Sequence, residues 1–278
     1  MTPPRDDRGR RDGDGRRRDG GPRSPLRVVA VQDGSVDGDV VANVARHVDW
    51  IERAADSAGS LVVFPELSLT GYEPDLIDLH GIRVDSHDPR LDPLRAICRL
   101  RRVHALVGAP VSPPAARDGG SPRIGVLHID PSGRSALAYC QRHLDTGEIG
   151  IFGAGTSAAL VDIAGWRVGL AIGRDAASPE HAAELAARGA TVYAVGALFR
   201  LGADQRMVDQ MSAAAARGMF VVLAQYCGGT GGGPACGRSG VWSPDGSELV
   251  RLGTRPGLAV ADLVDSSTVD AETGATGH

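Results

Sequence analysis

Apolar runs of strand length alternate with helix-like segments along most of the 278-residue sequence, and this alternation restricts the chain to the α/β fold class. "LRVVAVQ" (26–32) predicts a buried strand, and residues 39–59 after it have apolar positions at helical spacing. Strand and helix patterns then recur in "SLVVFPE", "LDPLRAICRLRRV", "HALVGAPV", "WRVGLAIG", "PEHAAELAARGA", "TVYAVGAL", "ADQRMVDQMSAAAARGM" and "FVVLAQY". This order predicts parallel strands in sheets that helices cover.

Two hairpins add antiparallel strands to this arrangement. "IGVLHID" and "SALAYCQRHL" are separated by the turn "PSGR", and "SGVWSPDGSELVRL" turns at Pro244-Asp245-Gly246. Because antiparallel pairs are mixed with parallel ones, we expect an α/β sandwich with mixed sheets.

The two ends of the sequence differ in composition from the segment between them. Residues 1–25 are a mixture of Arg, Asp, Gly and Pro without hydrophobic periodicity, and residues 266–278 are small and polar. Such segments bury too little apolar surface to offset the entropy of ordering them. We therefore predict disordered tails at 1–25 and 266–278 and one domain over residues 26–265.

Composition excludes several classes of function. The apolar runs are far shorter than the roughly 20 residues that cross a bilayer, and no apolar stretch follows the basic first residues, so we expect neither a membrane span nor a secretory signal. The net charge of −4 does not favour nucleic acid as a partner. Four cysteines without a CxxC pair predict neither a disulfide framework nor a zinc site. We expect a cytoplasmic protein without metal or cofactor.

Glu66 stands at the carboxyl end of a predicted strand in "LVVFPELSLTGY" (61–72). Ligands of α/β proteins bind outside the carboxyl ends of strands, so a carboxylate there is a candidate general base. A salt-bridged or turn-capping glutamate would occupy the same position, and the residue type alone leaves both roles open.

Two further stretches hold candidate site residues. "YCQRHL" (139–144) ends a predicted strand with His143, and Glu148 follows it. "VGLAIGRDAASPE" (168–180) reads as a buried strand that stops at Gly173. An α/β enzyme usually displays its nucleophile at such a strand end, and here that position carries no side chain.

In this order the three stretches resemble the nitrilase superfamily, the carbon–nitrogen hydrolases. That family shows a Phe-Pro-Glu segment ending in Thr-Gly-Tyr, then Lys-x-His-Leu with a downstream Glu, then Cys-x-Asp followed by Pro-Glu. Gln32, Asn43, "FGAG" (152–155), "FVVLAQ" and "GRSGVWSPDG" also fit the pattern, so the resemblance covers roughly residues 26–263. It implies an α-β-β-α sandwich with mixed sheets.

The resemblance also implies roles for individual residues. The family uses Glu as general base, Lys as oxyanion stabiliser and Cys as nucleophile. The base position falls on Glu66, the Lys position on Gln141 and the Cys position on Gly173. The chain therefore departs from the pattern at two of the three catalytic positions.

The second glutamate of the family falls on Glu148, and together with Tyr72 and Asp175 it is expected to line a substrate pocket. A small molecule with an amide-like or carboxylate group is the expected ligand. The family's habit of pairing subunits implies a homo-oligomer.

No obvious residue replaces the missing groups. The sequence contains no lysine, and the nearest cations, Arg142 and Arg174, are out of phase with the catalytic positions if strand side chains alternate between faces. The same alternation turns Cys140 away. Cys227 follows a strand that ends near the site in the family and stays open as an alternative nucleophile.

We therefore predict a pseudoenzyme, a ligand-binding or assembly subunit without amidase or nitrilase activity of the thioester type. The alternative is an enzyme of altered mechanism, in which Glu66 acts as general base on a C–N bond of a small amide, nitrile or carbamoyl compound without a thioester.

Overall fold

The computed structural model describes residues 23–112 and 120–265. Within these residues the chain forms fourteen strands and five α-helices. The strands are β1 (Leu26–Gln32), β2 (Leu61–Val63), β3 (His104–Val111), β4 (Arg123–Ile129), β5 (Ser135–Cys140), β6 (Leu160–Ile163), β7 (Trp166–Ile172), β8 (Val192–Ala197), β9 (Phe220–Gln225), β10 (Cys227–Gly228), β11 (Ala235–Cys236), β12 (Gly240–Trp242), β13 (Glu248–Arg251) and β14 (Gly257–Leu263). The helices are α1 (Val40–Asp56), α2 (Pro74–His80), α3 (Asp92–Arg101), α4 (Pro179–Ala187) and α5 (Asp204–Ala215).

Twelve of these strands build two six-stranded sheets of similar design. The orders are β14-β1-β2-β3-β4-β5 and β13-β12-β9-β8-β7-β6. In each sheet three central strands are parallel, β1 to β3 and β7 to β9, and all other neighbours are antiparallel. Asp33, after β1, forms a parallel bridge with Tyr226, after β9. The carboxyl ends of the two parallel sets therefore meet, and this meeting point positions the site.

The apolar residues divide into three layers. One cluster, with Val28, Val63 and Leu170, lies between the two sheets. A second joins the first sheet to α1 and α3, and a third joins the second sheet to α4 and α5. Val28 and its neighbour Val29 enter different layers because strand side chains alternate between faces. The predicted α-β-β-α sandwich with mixed sheets is confirmed.

The strand and helix patterns match most of the observed elements. Helix α2 and the short strands β6, β10 and β11 are elements that these patterns do not predict. Strand β5 ends at Cys140, so His143 lies in the following loop rather than at a strand end. None of the described helices is long and apolar enough to cross a membrane.

The predicted N-terminal tail ends earlier than residue 25. Arg23 forms an ion pair with Asp265 at 3.0 Å and stacks its guanidinium over Trp166, and the Trp166 indole N–H donates to Ser24 O at 2.9 Å. These contacts attach Arg23 and Ser24 to the domain. The rest of the two predicted tails, 1–22 and 266–278, lies outside the described residues.

Candidate active site

Glu66 lies where the first sheet meets the second. The backbone around it passes between Gly108 of β3 and Gly196 of β8, where an added Cβ would overlap main-chain atoms of residues 64–67. Leu67, the next residue, has a left-handed φ of +51°, which costs about 1–2 kcal/mol for a residue with a side chain. Two glycines and one strained residue thus hold the Glu66 carboxyl against the strand ends of the second sheet.

Gly173 follows β7 directly and faces the Glu66 carboxyl. Its φ is +46°, and a Cβ built on it would overlap Glu66 Oε2 and lie 3.4 Å from Gln141 Nε2. The structure therefore brings Glu66, Gln141 and Gly173 together, although they are far apart in the sequence.

Gln141 is fully buried and binds Glu148. Its Nε2 donates to His143 O at 2.7 Å and to Glu148 Oε2 at 3.0 Å. Glu148 also accepts the Tyr72 hydroxyl at 2.8 Å and the Asp145 amide at 2.7 Å. Gln141 Oε1 has no hydrogen-bond partner among the described residues. A neutral amide therefore stands between the two buried glutamates.

Burial raises the pKa of Glu66 well above its ordinary value, and the Glu148 carboxylate raises it further. The Leu198 backbone amide acts in the opposite direction and is too weak to offset burial. Burial also raises the pKa of Glu148, against the donors around it. Glu66 Oε2 has no partner among the described residues. Glu66 therefore keeps its proton at pH values at which an exposed glutamate is ionised.

Asp175 connects the ends of β5 and β7. Its Oδ2 accepts the Tyr139 hydroxyl at 2.7 Å and the Ile172 amide at 3.2 Å. Its Oδ1 accepts the amides of Arg142 and His143 and the His143 Nδ1 at 2.8 Å. Because protein donors take up both oxygens, the geometry gives Asp175 a positioning role instead of the predicted ligand contact.

A cavity of about 120 Å³ opens from the Glu66 carboxyl to the surface. Its lining residues are Glu66, Tyr72, Asp145, Glu148, Gly173, Arg174, Ala177, Leu198, Phe199, Arg200, Arg206 and Gln210. This lining, within the described part of the chain, contains no cysteine, serine or lysine. Sequence reasoning missed the residues after β8 and on α5, since they lie far from the three motifs along the chain.

Arg174 differs from its prediction, whereas Arg142 agrees with it. Arg142 Nη1 binds Glu184 Oε2 at 2.6 Å, on α4 and away from the cavity. Arg174 lines the cavity because β7 ends at Ile172 and residues Gly173–Ala177 form a 3₁₀ helix. Strand alternation does not apply beyond the end of the strand.

The two cysteines considered at the sequence level lie elsewhere. Cys140 packs in the apolar layer between the first sheet and its helices, as alternation predicts. Cys227 is buried outside the cavity lining, and burial raises its pKa to about 11. A thiol that stays protonated and lies apart from Glu66 is poorly suited to replace the nucleophile.

One group of described residues has metal-ligand character. Possible ligand atoms of His143, Asp175 and His181 lie within 4.8 Å of one another. Asp175 already accepts five hydrogen bonds there, and His181 Nε2 lies 3.0 Å from Leu170 O. This bonding explains the group as a structural network.

Comparison with known proteins agrees with this architecture. The model of the carbon–nitrogen hydrolase family matches residues 27–271. A protein of Pseudomonas protegens described as a hydrolase in the pqqF 5′ region is 28% identical over 229 residues, which cover 81% of this chain and 78% of that protein.

The solved structures that resemble this chain include an amidase from Nesterenkonia sp., 26% identical, with a TM-score of 0.78 over 90% of this chain and 95% of the amidase. A cysteine-to-alanine mutant of the amidase from Nesterenkonia sp. AN1, in complex with butyramide, is 25% identical, with a TM-score of 0.76 over 89% of this chain and 96% of that one. With the family model matching most of its length, the chain belongs to the carbon–nitrogen hydrolase family.

Proposed function

We propose that this carbon–nitrogen hydrolase is a pseudoenzyme that binds a small amide-like molecule without hydrolysing it through a thioester. The observation that carries the proposal is the position of Gly173. Gly173 lies against the Glu66 carboxyl and Gln141. The described residues that line the cavity include no cysteine, serine or lysine.

The expected loss of activity is large. Removing the nucleophile of a covalent mechanism costs on the order of 10⁶ in kcat. Removing an oxyanion donor costs roughly 10² to 10³. These losses do not add, and the first alone is enough to abolish useful turnover.

The state of Glu66 supports the same proposal. A general base must be ionised to accept a proton, and burial together with Glu148 raises the pKa of Glu66 well above its ordinary value. A lysine at position 141 would favour the ionised form, whereas Gln141 brings no charge. With its raised pKa, Glu66 is therefore better suited to donate a hydrogen bond to a ligand than to activate a nucleophile.

Binding does not require the missing thiol. The amidase from Nesterenkonia sp. AN1 is found in complex with butyramide after its cysteine has been changed to alanine. We extend this property to the present chain, whose cavity keeps two glutamates and Tyr72 around the corresponding space.

The test is an ammonia assay with short amides, carbamoyl compounds and nitriles, run on the purified protein and on Glu66→Gln. Glu52→Gln, on the exposed side of α1, is the matched control. We expect no ammonia above the buffer level from any of the three proteins. Ammonia release that Glu66→Gln abolishes and Glu52→Gln does not would overturn the proposal.

Binding is measured separately, by saturation-transfer NMR with butyramide. We expect a signal from the unchanged protein and its loss in Leu198→Trp, which fills the cavity. Leu100→Trp, at an exposed position of α3, should keep the signal. An equal signal from Leu198→Trp would place butyramide outside this cavity.

In the alternative function, Glu66 acts as a general base that activates water without a thioester. This role requires the ionised carboxylate. Its rate should therefore rise as pH increases through the raised pKa of Glu66. The ammonia assay is extended to pH 10 for this reason. An activity that appears only at high pH and requires Glu66 would favour this alternative function.

A further inference from the structure

The outer part of the cavity carries three arginines. Arg174 follows β7, Arg200 follows β8, and Arg206 belongs to the first turn of α5. All three line the same cavity as Glu66 and also an adjoining cleft of about 400 Å³. Their side chains are exposed, whereas Glu66 is buried, so the cavity runs from a buried carboxyl to a cationic mouth.

These arginines are poorly neutralised compared with others in the molecule. Across the described residues, Arg200 and Arg206 have no carboxylate within ion-pair distance, and Arg174 has only Asp145, at 3.5 Å. In contrast, Arg46 and Arg142 bind their carboxylates at 2.7 and 2.6 Å. The mouth therefore offers guanidinium groups whose hydrogen bonds remain available to a ligand.

Local stability does not explain the positions of Arg206 and Arg200. Arg206 lies at the amino-terminal end of α5, where the helix dipole disfavours a positive charge. The Arg200 backbone is held in place from outside its own segment, by a bridge to Ala235 and by the Leu201 amide donating to Pro234 O at 2.7 Å. The fixed backbone holds Arg200 at the cavity mouth, and Arg206 reaches the same mouth from an unfavourable helix position.

We propose that this mouth is a carboxylate subsite, so that the ligand is a small acid with an amide-type group at its other end. The proposal rests on the proposed function, because it assumes that the amide end lies beside Glu66. A planar guanidinium binds a carboxylate through two parallel hydrogen bonds. One negative charge fits better than two, since Asp145 and Glu148 line the same cavity.

The test compares two probes of nearly equal size by isothermal titration calorimetry. Butyramide ends in a methyl group, and succinamate, the half-amide of succinic acid, ends in a carboxylate. We expect succinamate to bind at least about tenfold more tightly than butyramide, because its carboxylate adds a charge-assisted hydrogen bond to an arginine. In the double variant Arg200→Gln with Arg206→Gln this ratio should fall to near one, and in Arg255→Gln, outside the cavity, it should persist.

Three results would overturn the subsite: no preference for succinamate, a preference that survives in the double variant, or no binding of either probe. Inorganic phosphate is titrated as a competitor. Displacement of succinamate by phosphate at lower concentration than by acetate would assign the mouth to phosphate and would also contradict the proposal.

Ammonia is measured in the same samples, which separates the two proposals. Release of ammonia contradicts the pseudoenzyme and leaves the carboxylate preference intact. Loss of the preference without ammonia contradicts the subsite alone. Circular dichroism confirms that the double variant is folded.

Discussion

Two buried carboxyl groups of the site, those of Asp175 and Glu66, have opposite surroundings. Both are almost completely inaccessible, at 0% and 3% exposure. Asp175 accepts five hydrogen bonds from two strand ends, whereas Glu66 leaves Oε2 without a partner in the described structure. An unsatisfied buried polar atom costs about 1–3 kcal/mol.

The difference separates the frame of the site from its reactive centre. Asp175 ties the end of β5, in the first sheet, to the end of β7, in the second sheet, and so positions Gln141 and Gly173. Glu66 gains no comparable stabilisation from its neighbours and faces the cavity. Asp175 therefore stabilises the structure around the site, whereas Glu66 is the group that the proposed function assigns to ligand contact.

The largest effect is expected from Asp175→Ala. Removal of this carboxylate leaves several buried donors unpaired, and the free energy of unfolding should fall by about 3 kcal/mol or more. Thermal and urea unfolding measure the loss. Asp162→Ala, at an exposed position of β6, should change stability by less than about 0.5 kcal/mol. Similar small effects in both variants would remove the contrast between the two carboxyl groups.

Glu66→Gln should remove a pH dependence. Because the folded chain keeps a proton on Glu66 that the unfolded chain releases, stability is complete below the ordinary glutamate pKa and is lost as pH rises towards the raised pKa. The slope is at most about 1.4 kcal/mol per pH unit. Glu66→Gln should therefore be more stable than the unchanged protein at pH 8, by urea unfolding. Parallel pH profiles for the two proteins would show that Glu66 is ionised when folded.

Gly173→Ala tests the contact between Gly173 and Glu66. The new methyl group meets the Glu66 carboxyl at a left-handed φ, and we expect a loss of about 2 kcal/mol. Gly81→Ala has φ +60° and open space around its Cβ, so it reports the backbone strain alone. The excess for Gly173→Ala should shrink in a Glu66→Ala background. If the extra loss of stability persists in the Glu66→Ala background, the new methyl group collides with a residue other than Glu66.

Tyr72→Phe is expected to have the smallest effect, a loss of about 1 kcal/mol, because it removes one hydrogen bond to Glu148. Tyr193→Phe is the control, since that buried hydroxyl has only a 3.5 Å contact with Asp175 O. The two values come from urea unfolding at pH 7. A control loss as large as that of Tyr72→Phe would show that Glu148 does not depend on the Tyr72 hydroxyl.

The fold and the three central positions were accessible from sequence because each depends on a local pattern. Strand β1 and helix α1 follow apolar periodicity, and Glu66, Gln141 and Gly173 each belong to a short motif. The arginines at the mouth have no such pattern. Arg200 reaches the cavity from the loop after β8, Arg206 reaches it through the packing of α5 against β9, and Arg174 reaches it through a 3₁₀ turn that ends strand alternation.

The role of Asp175 was also out of reach of the sequence. Its five donors belong to residues 139–143 and to Ile172, which are distant in the chain, and three of them are backbone amides, whose direction no residue type specifies. The sequence therefore predicts a ligand contact for Asp175, whereas in the structure its carboxylate links the ends of two strands.

The central claim, that this frame lacks only its reactive groups, is tested most directly by restoring them. In the double variant Gly173→Cys with Gln141→Lys, the lysine should favour ionised Glu66 and the thiolate, so iodoacetamide should label the introduced thiol faster than Cys98 or Cys140, whose pKa values burial raises. Peptide mass spectrometry measures the rate at each site, and added Glu66→Gln should slow labelling at neutral pH. An introduced thiol that reacts no faster than the native cysteines, with no effect of Glu66→Gln, would contradict the account.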